Sequence, residues 1–314
     1  MMSDILTVAF VTSLLAGMVR IMSPILLAAL GELVTERGGV MNLGVEGTML
    51  VGALVGFLIG YQTGSLCAGV LGAVTAGGLV GLLMAFLSAT LKADQTIAGL
   101  SINILASGLT FYLFRVAFST TGTENLPNLP VFETVPIPLL SHIPVIGKAV
   151  FSQYVLSYGA FLLVPLIYLF LFRTKYGLTL RGIGENPRAI DMKGVNVSLY
   201  QYAATIFGGM LAGAGGGYLT LAQSGMFVPG ISSGRGWIAI AIVIFGDWKP
   251  LNILLAALFF ALLDSLQLQI QGIGIQLPYQ IFLALPYLLT ILALVVKHGR
   301  GSAPLHLGLP YHRE

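Results

Sequence analysis

The chain has 314 residues, of which 56% are hydrophobic and only 9% charged, with a formal net charge of +3 and a mean hydropathy of +0.92. Soluble domains carry roughly 25% charged residues, so this chain cannot cover its surface with polar groups, and its solvent is lipid. The small positive balance then reflects the Lys/Arg bias of cytoplasmic loops, not a nucleic-acid footprint.

A bilayer span needs about 20 mostly apolar residues. Long apolar runs, in place of the ten-residue alternation of a β-barrel, favour helices. The predicted fold is therefore an all-α polytopic membrane protein with about nine (8–10) transmembrane helices. The apolar segments run over 5–30, 47–62, 65–91, 95–118, 152–172, 198–222, 232–246, 251–270 and 279–296. The start, MMSDILTVAF, has no basic region, so the first segment is expected to be retained as a helix. Cys67 has neither a disulfide partner nor metal-ligand spacing, and core packing is its expected role.

Residues 173–193 hold Arg173, Lys175, Arg181, Arg188 and Lys193, the densest basic cluster, which the positive-inside rule places in the cytoplasm. The tail 297–314 adds Lys297, Arg300 and Arg313 on the same side. The proline-rich loop 119–151, with Glu124 and Glu133 against Lys148, belongs outside. The whole chain reads as one transmembrane domain: a first repeat over about 5–118, the outer loop 119–151, a cytoplasmic segment 173–197, a second repeat over about 198–296, and the tail.

An internal echo supports two repeats. GVEGTMLVGALVGFLIG (44–60) is similar in kind to SGRGWIAIAIVIFG (233–246): a glycine turn holding one charge, then an apolar helix, a polar turn and another apolar helix. The first copy enters its helix from the cytoplasmic side and the second from outside, which is an inverted repeat with broken, Gly-rich helices. Such breaks at matching places in two halves point to a substrate path. The polar residues in or beside these spans are candidates for lining the path or breaking the helices: Asn42, Gly44, Glu46, Gly47, Asn103, Ser232, Ser233, Arg235, Gly236 and Asp264. Charge in hydrocarbon is costly and faces a cavity or a partner. Glu46 and Arg235 occupy corresponding positions. They either pair across the two halves, or each bonds backbone at a helix break, or they contact solute. Asp264 reads equally as a structural carboxyl and as a solute contact. GAGGG at 213–217 lies inside an apolar helix and reads as close helix packing by small residues.

RGIGENPRAIDMKGVNV (181–197) carries a further signal. Asn186 suits an N-cap, Pro187 the first helical position, and Gly194 the residue past the end. The expected result is one capped basic helix of about two turns on the cytoplasmic face, suited to docking a partner. No HExxH, no Ser/His/Asp order and no Cys/His cluster is present, so catalytic and metal sites are not expected.

These stretches together carry a resemblance. GIGENPRAIDMKGVNV resembles the coupling segment of bacterial ABC importer permeases of the branched-chain amino acid, ribose and nucleoside family. GGVMNLGVEGTMLVGA (38–53) and SSGRGWIAIAIVIFGDWKPL (232–251) resemble the glycine-rich elements of its two halves, and LGLPYHRE is similar to the end of the shorter, guanosine-type permease subunit. The resemblance implies a multi-pass permease of the bacterial inner membrane that imports nucleosides, with a simple sugar or a branched-chain amino acid as the alternative solute. A proton-coupled secondary transporter is the distant alternative. The implied partners are a second homologous permease subunit, a cytoplasmic ABC ATPase, an extracytoplasmic solute-binding lipoprotein and membrane lipid, with no nucleic acid. The implied ATPase-coupling residues are Gly184, Glu185, Asn186, Pro187, Arg188, Ala189 and Gly194. The chain has no GxxxxGK[ST], so ATP and Mg are expected on the partner ATPase and no cofactor on this chain.

Overall fold

The structure is a computed structural model that describes residues 8–118, 128–138, 140–272 and 302–312. Helix α1 (Val8–Arg37) is followed by α2 (Val45–Thr63), α3 (Leu66–Ala85, continued by a π turn to Thr90) and α4 (Gln95–Phe118). The outer segment contributes a small antiparallel pair, β1 (Thr134–Pro136) with β2 (Ser152–Tyr154), around the short α5 (Ile146–Val150). Then come α6 (Val155–Arg173), α7 (Lys175–Glu185), α8 (Pro187–Asp191), α9 (Val197–Tyr218, continued by a π turn to Ser224), α10 (Arg235–Phe245) and α11 (Pro250–Gly272).

Six of these helices are long and apolar enough to cross a membrane: α1, α2, α3 with its π turn, α4, α6 and α11. The sequence-based count of about nine is thus met by six among the described residues. The Gly-rich α9 is not among them, and α10 has only 11 residues, about 17 Å of helix against a hydrocarbon core of about 30 Å. The expected segment 279–296 lies outside the described residues.

The first helix runs to Arg37, not to 30. The charged residues beyond 30 are buried and bonded: Glu32 and Glu36 are each 2% exposed. Pro24 lies inside α1. Arg20, which interrupts the first apolar run, donates to Gln153 Oε1 at 3.3 Å and sits over the Tyr154 ring. Cys67 is exposed, contrary to the core role expected. An apolar side chain in a lipid-solvated bundle has no reason to point inward.

The core forms around α1, which packs on α9, α10 and α11. The most extensive helix seam joins α3 and α9. A Cβ at Gly213 would come within 2.8 Å of the Gly77 Cα, and one at Gly81 within 3.2 Å of the Gly209 Cα. In lipid, helices associate through such close backbone packing, not through the hydrophobic effect. The GAGGG reading agrees with this seam.

Candidate functional site: a carboxylate where two broken helices meet

The first break lies between α1 and α2. Gly38 and Gly39, the latter at φ 81°, end α1, and residues 40–44 turn back before α2 begins. With no water in hydrocarbon, each unpaired backbone group costs several kcal/mol, so the break needs side-chain partners. Glu32 Oε1 accepts from the Asn42 amide at 2.9 Å, and Asn42 Oδ1 accepts from the Gly44 amide at 2.9 Å. Gln95 Oε1 accepts from the Met41 amide at 2.7 Å. Asn103, from α4, uses both ends: Nδ2 donates to the Leu43 carbonyl and Oδ1 accepts from the Gly47 amide, each at 2.7 Å. Asn42 and Asn103 are therefore engaged by the backbone of the break.

The second break follows α9. Its π turn ends at Gly225 (φ 69°), and the chain turns through residues 226–234 into α10, with Ser233 and Gly234 both at positive φ. The first N–H groups of any helix lack intrahelical partners, and the α10 N-cap, Gly234, has no side chain to supply one. Glu46 supplies it from the other half. Its Oε1 accepts from Ser232 Oγ at 2.5 Å and from the Gly234 amide at 2.9 Å, and its Oε2 accepts from the Gly236 amide at 2.7 Å. A carboxylate at a helix N-terminus also opposes the positive end of the helix dipole. Gly236 is required by closeness: a Cβ there would lie 2.5 Å from the Glu46 Cα.

Of the alternatives the sequence left open for Glu46 and Arg235, the geometry shows backbone bonding by each. Arg235 Nη1 donates to the carbonyls of Ile231 and Ser232 at 3.1 and 3.2 Å. Asp264 and Glu46 are the carboxylates that interact with its charge. Asp264, without a nearby cation in sequence, is thus brought towards Arg235 by α11.

Beside this junction is a half-polar cleft of about 500 Å³, lined in part by Gln223, Ser224, Ser233 and Arg235. The volume falls in the range of small-molecule sites, roughly 300–1,000 Å³. Phe227, near the same break, is fully buried against Phe114.

Sequence reasoning missed a third cluster. Glu36 Oε2 accepts from Trp248 Nε1, and the Arg37 guanidinium donates to the Trp248 carbonyl at 2.8 Å. Asp247 and Trp248 both have positive φ, in the tight turn between α10 and α11. One face of α1 thus holds the first break through Glu32 and the α10–α11 turn through Glu36. Their spacing of four residues put both on one helix face and was the available signal.

The candidate coupling residues stand apart from this junction. Asn186 is the N-cap of α8, its Oδ1 accepting from the Ala189 amide at 3.1 Å, with Pro187 first in the helix. Gly194, at φ 80°, follows its end. The helix is five residues, shorter than the two turns expected, and the 11-residue α7 precedes it. Arg188 and Glu185 are exposed, whereas Gly184 is buried, with its Cα facing Pro304 and the Arg37 carbonyl. Among the described residues no group of three or more His, Cys, Asp or Glu could hold a metal ion.

Apolar spanning helices, two helix breaks that meet at one carboxylate, and a capped basic hairpin beyond the spans define a multi-pass membrane permease. The chain belongs to the branched-chain amino acid transport system / permease component family, whose model matches residues 13–294. It is 37% identical to the guanosine ABC transporter permease protein of Bacillus subtilis, covering 92% of this chain and 93% of that protein. It is 36% identical to the nucleoside ABC transporter permease protein of Lactococcus lactis subsp. cremoris, over 95% and 96%. A Haloferax volcanii protein, provisionally named a glucose ABC transporter permease, is 39% identical over 86% and 81%. No solved structure matches. The chain is a permease subunit of an ABC transporter and not itself an enzyme.

Proposed function

We propose that this permease moves nucleosides into the cell. The observation that carries the reading is near full-length similarity to two permeases whose names specify guanosine or nucleoside, at 36–37% identity with at least 92% of each chain aligned. The cleft beside Glu46 suits such a solute. Gln223, Ser224 and Ser233 offer hydrogen bonds to ribose hydroxyls, and its apolar wall of Leu219, Val228 and Ile231 suits a flat base. The Haloferax relative supports a second reading, a simple sugar.

In this reading Glu46, Ser232 and Gly236 join two inverted repeats, and Ser233, Arg235 and Asp264 border the path. Gly47 and Gly236 hold matching positions after the charged residue of each turn, and each donates its amide to a side chain of another element at 2.7 Å. That equivalence supports the repeat. The segment 184–194 docks a cytoplasmic ATPase, which binds ATP and Mg, and the tail lies on the same side. A second permease subunit completes the pathway and an extracytoplasmic binding protein delivers solute.

The test is uptake by proteoliposomes holding the permeases, ATPase and binding protein, with labelled guanosine, glucose, ribose and leucine offered separately. Guanosine uptake dependent on ATP is expected. Uptake of glucose or leucine without guanosine overturns the nucleoside reading.

A further inference from the structure

The C-terminal segment 302–312 folds back on the helical hairpin α7–α8. The His306 amide donates to the Gly184 carbonyl at 2.8 Å, the Leu305 amide to Glu185 Oε2 at 3.4 Å, and the Tyr311 hydroxyl to Asp191 Oδ2 at 2.9 Å. The same segment reaches the rest of the fold. Gly308 N–H donates to the Gly39 carbonyl, Ser302 bonds both the side chain and the carbonyl of Asp247, and Lys92 Nζ lies 3.3 Å from His312 Nδ1. The segment is a strap across the face that carries α8.

Its side chains divide by direction. Pro304 is buried and Leu307 packs against the main core. Leu305 is 80% exposed and Leu309 52% exposed, and Met192 just after α8 is 78% exposed. These three large aliphatic side chains lie outside the spanning helices, on the strap and on the hairpin it is bonded to, and apolar side chains gathered on one face mark interaction sites. The backbone of Leu305 is bonded to Glu185, the last residue of α7, two residues before α8 begins.

We propose that Leu305 and Leu309 form, with Met192, a second half of the surface on which the ABC ATPase docks, held in register with α8 by the Tyr311–Asp191 and His306–Gly184 bonds. This rests on the reading of 184–194 as the coupling segment. The occupant follows from position: an ABC permease must meet its ATPase on the cytoplasmic face, and the strap lies directly against the segment assigned to that contact.

The experiment uses the assembled transporter, purified through the permease, and measures the ATPase retained over a concentration series. The surface variant Leu305→Asp/Leu309→Asp should raise the ATPase concentration for half-maximal retention at least about tenfold, as expected when central apolar contacts are lost, with the thermal unfolding of the permease unchanged. Tyr311→Phe should give a smaller rise in the same direction. Deletion of 186–190 serves as the control for the coupling segment. If that deletion abolishes retention and the leucine variant does not change it, the strap inference is overturned and the coupling reading stands. If neither variant changes retention, both fail. Should the leucine variant insert poorly, a benzophenone on Leu305→Cys in a Cys67→Ser background reads the contact directly: an adduct with the ATPase supports the strap, and adducts confined to lipid overturn it.

Discussion

Glu46 and Gly236 lie 190 residues apart in sequence, and the carboxylate of the first accepts the backbone N–H of the second at 2.7 Å. Ser232 and Gly234 complete the set, so one side chain of the first half caps the short helix of the second.

Glu46→Gln tests that cap. The amide retains one acceptor oxygen but places an NH₂ against a backbone or hydroxyl donor. Hydrogen bonds to charged groups are worth about 1.5–3 kcal/mol each, so a loss of roughly 2–3 kcal/mol is expected, read as a lower unfolding temperature in detergent together with reduced uptake. The double reversal Glu46→Arg/Arg235→Glu should not recover uptake. Recovery would show that the two side chains act as an ion pair.

Gly236→Ala should be more damaging than a helix alanine has any right to be. The added methyl meets the Glu46 backbone at 2.5 Å, and overpacking costs typically 1–3 kcal/mol or more. Gly108→Ala, at a position with nothing within 4 Å, is the matched control and should leave thermal stability unchanged or slightly higher. Equal behaviour of the two variants would contradict the close approach.

Trp248→Phe removes the N–H that Glu36 accepts while keeping most of the ring's bulk. A buried acceptor left without its donor costs about 1–3 kcal/mol. Urea or thermal unfolding should show that loss, and the double variant Glu36→Gln/Trp248→Phe should lose less than the sum of the singles.

His306 gives the strap a pH dependence. Burial lowers its pKa from the ordinary histidine value, and Nε2 is buried without a hydrogen-bond partner. The neutral ring is therefore favoured in the docked strap, and the undocked chain binds the proton more readily. Docking is at full strength above the unfolded value of about 6.5 and weakens as pH falls through the lower folded value. The protection of the amides of 305–308, taken relative to their intrinsic exchange rate at each pH, should fall as pH drops below about 6.5. His306→Phe should flatten that profile.

How much of this was legible in sequence depended on the kind of signal. The two glycine turns announced themselves because each set one charge between small residues at the edge of an apolar run. The α8 cap was legible because capping chemistry is local: Asn186, Pro187 and Gly194 lie within nine residues of one another. What Glu46 holds was not legible. A charge at the mouth of one helix and another at a matching place suit an ion pair and backbone bonding at a helix break equally, and nothing in the spacing says which helix start, with its four free N–H groups, lies near the carboxylate. Glu32 and Glu36 were hidden for a related reason. Charges near the end of an apolar run normally mark the interface, whereas here α1 continues and their partners, Asn42 and Trp248, lie across the fold. The surface position of Cys67 follows from the solvent itself, since lipid removes the force that would drive it inward.

The cap on α10 also sets a timetable. Ribosomes add roughly 5–20 residues per second, so Glu46 is made on the order of ten to forty seconds before Gly236. During that interval the first half must be held in the membrane with its carboxylate lacking every ligand that it will finally have. Nascent chains stopped before residue 232 should therefore keep this segment at the wet edge of the insertion machinery, and release it into the bilayer only when the second break arrives.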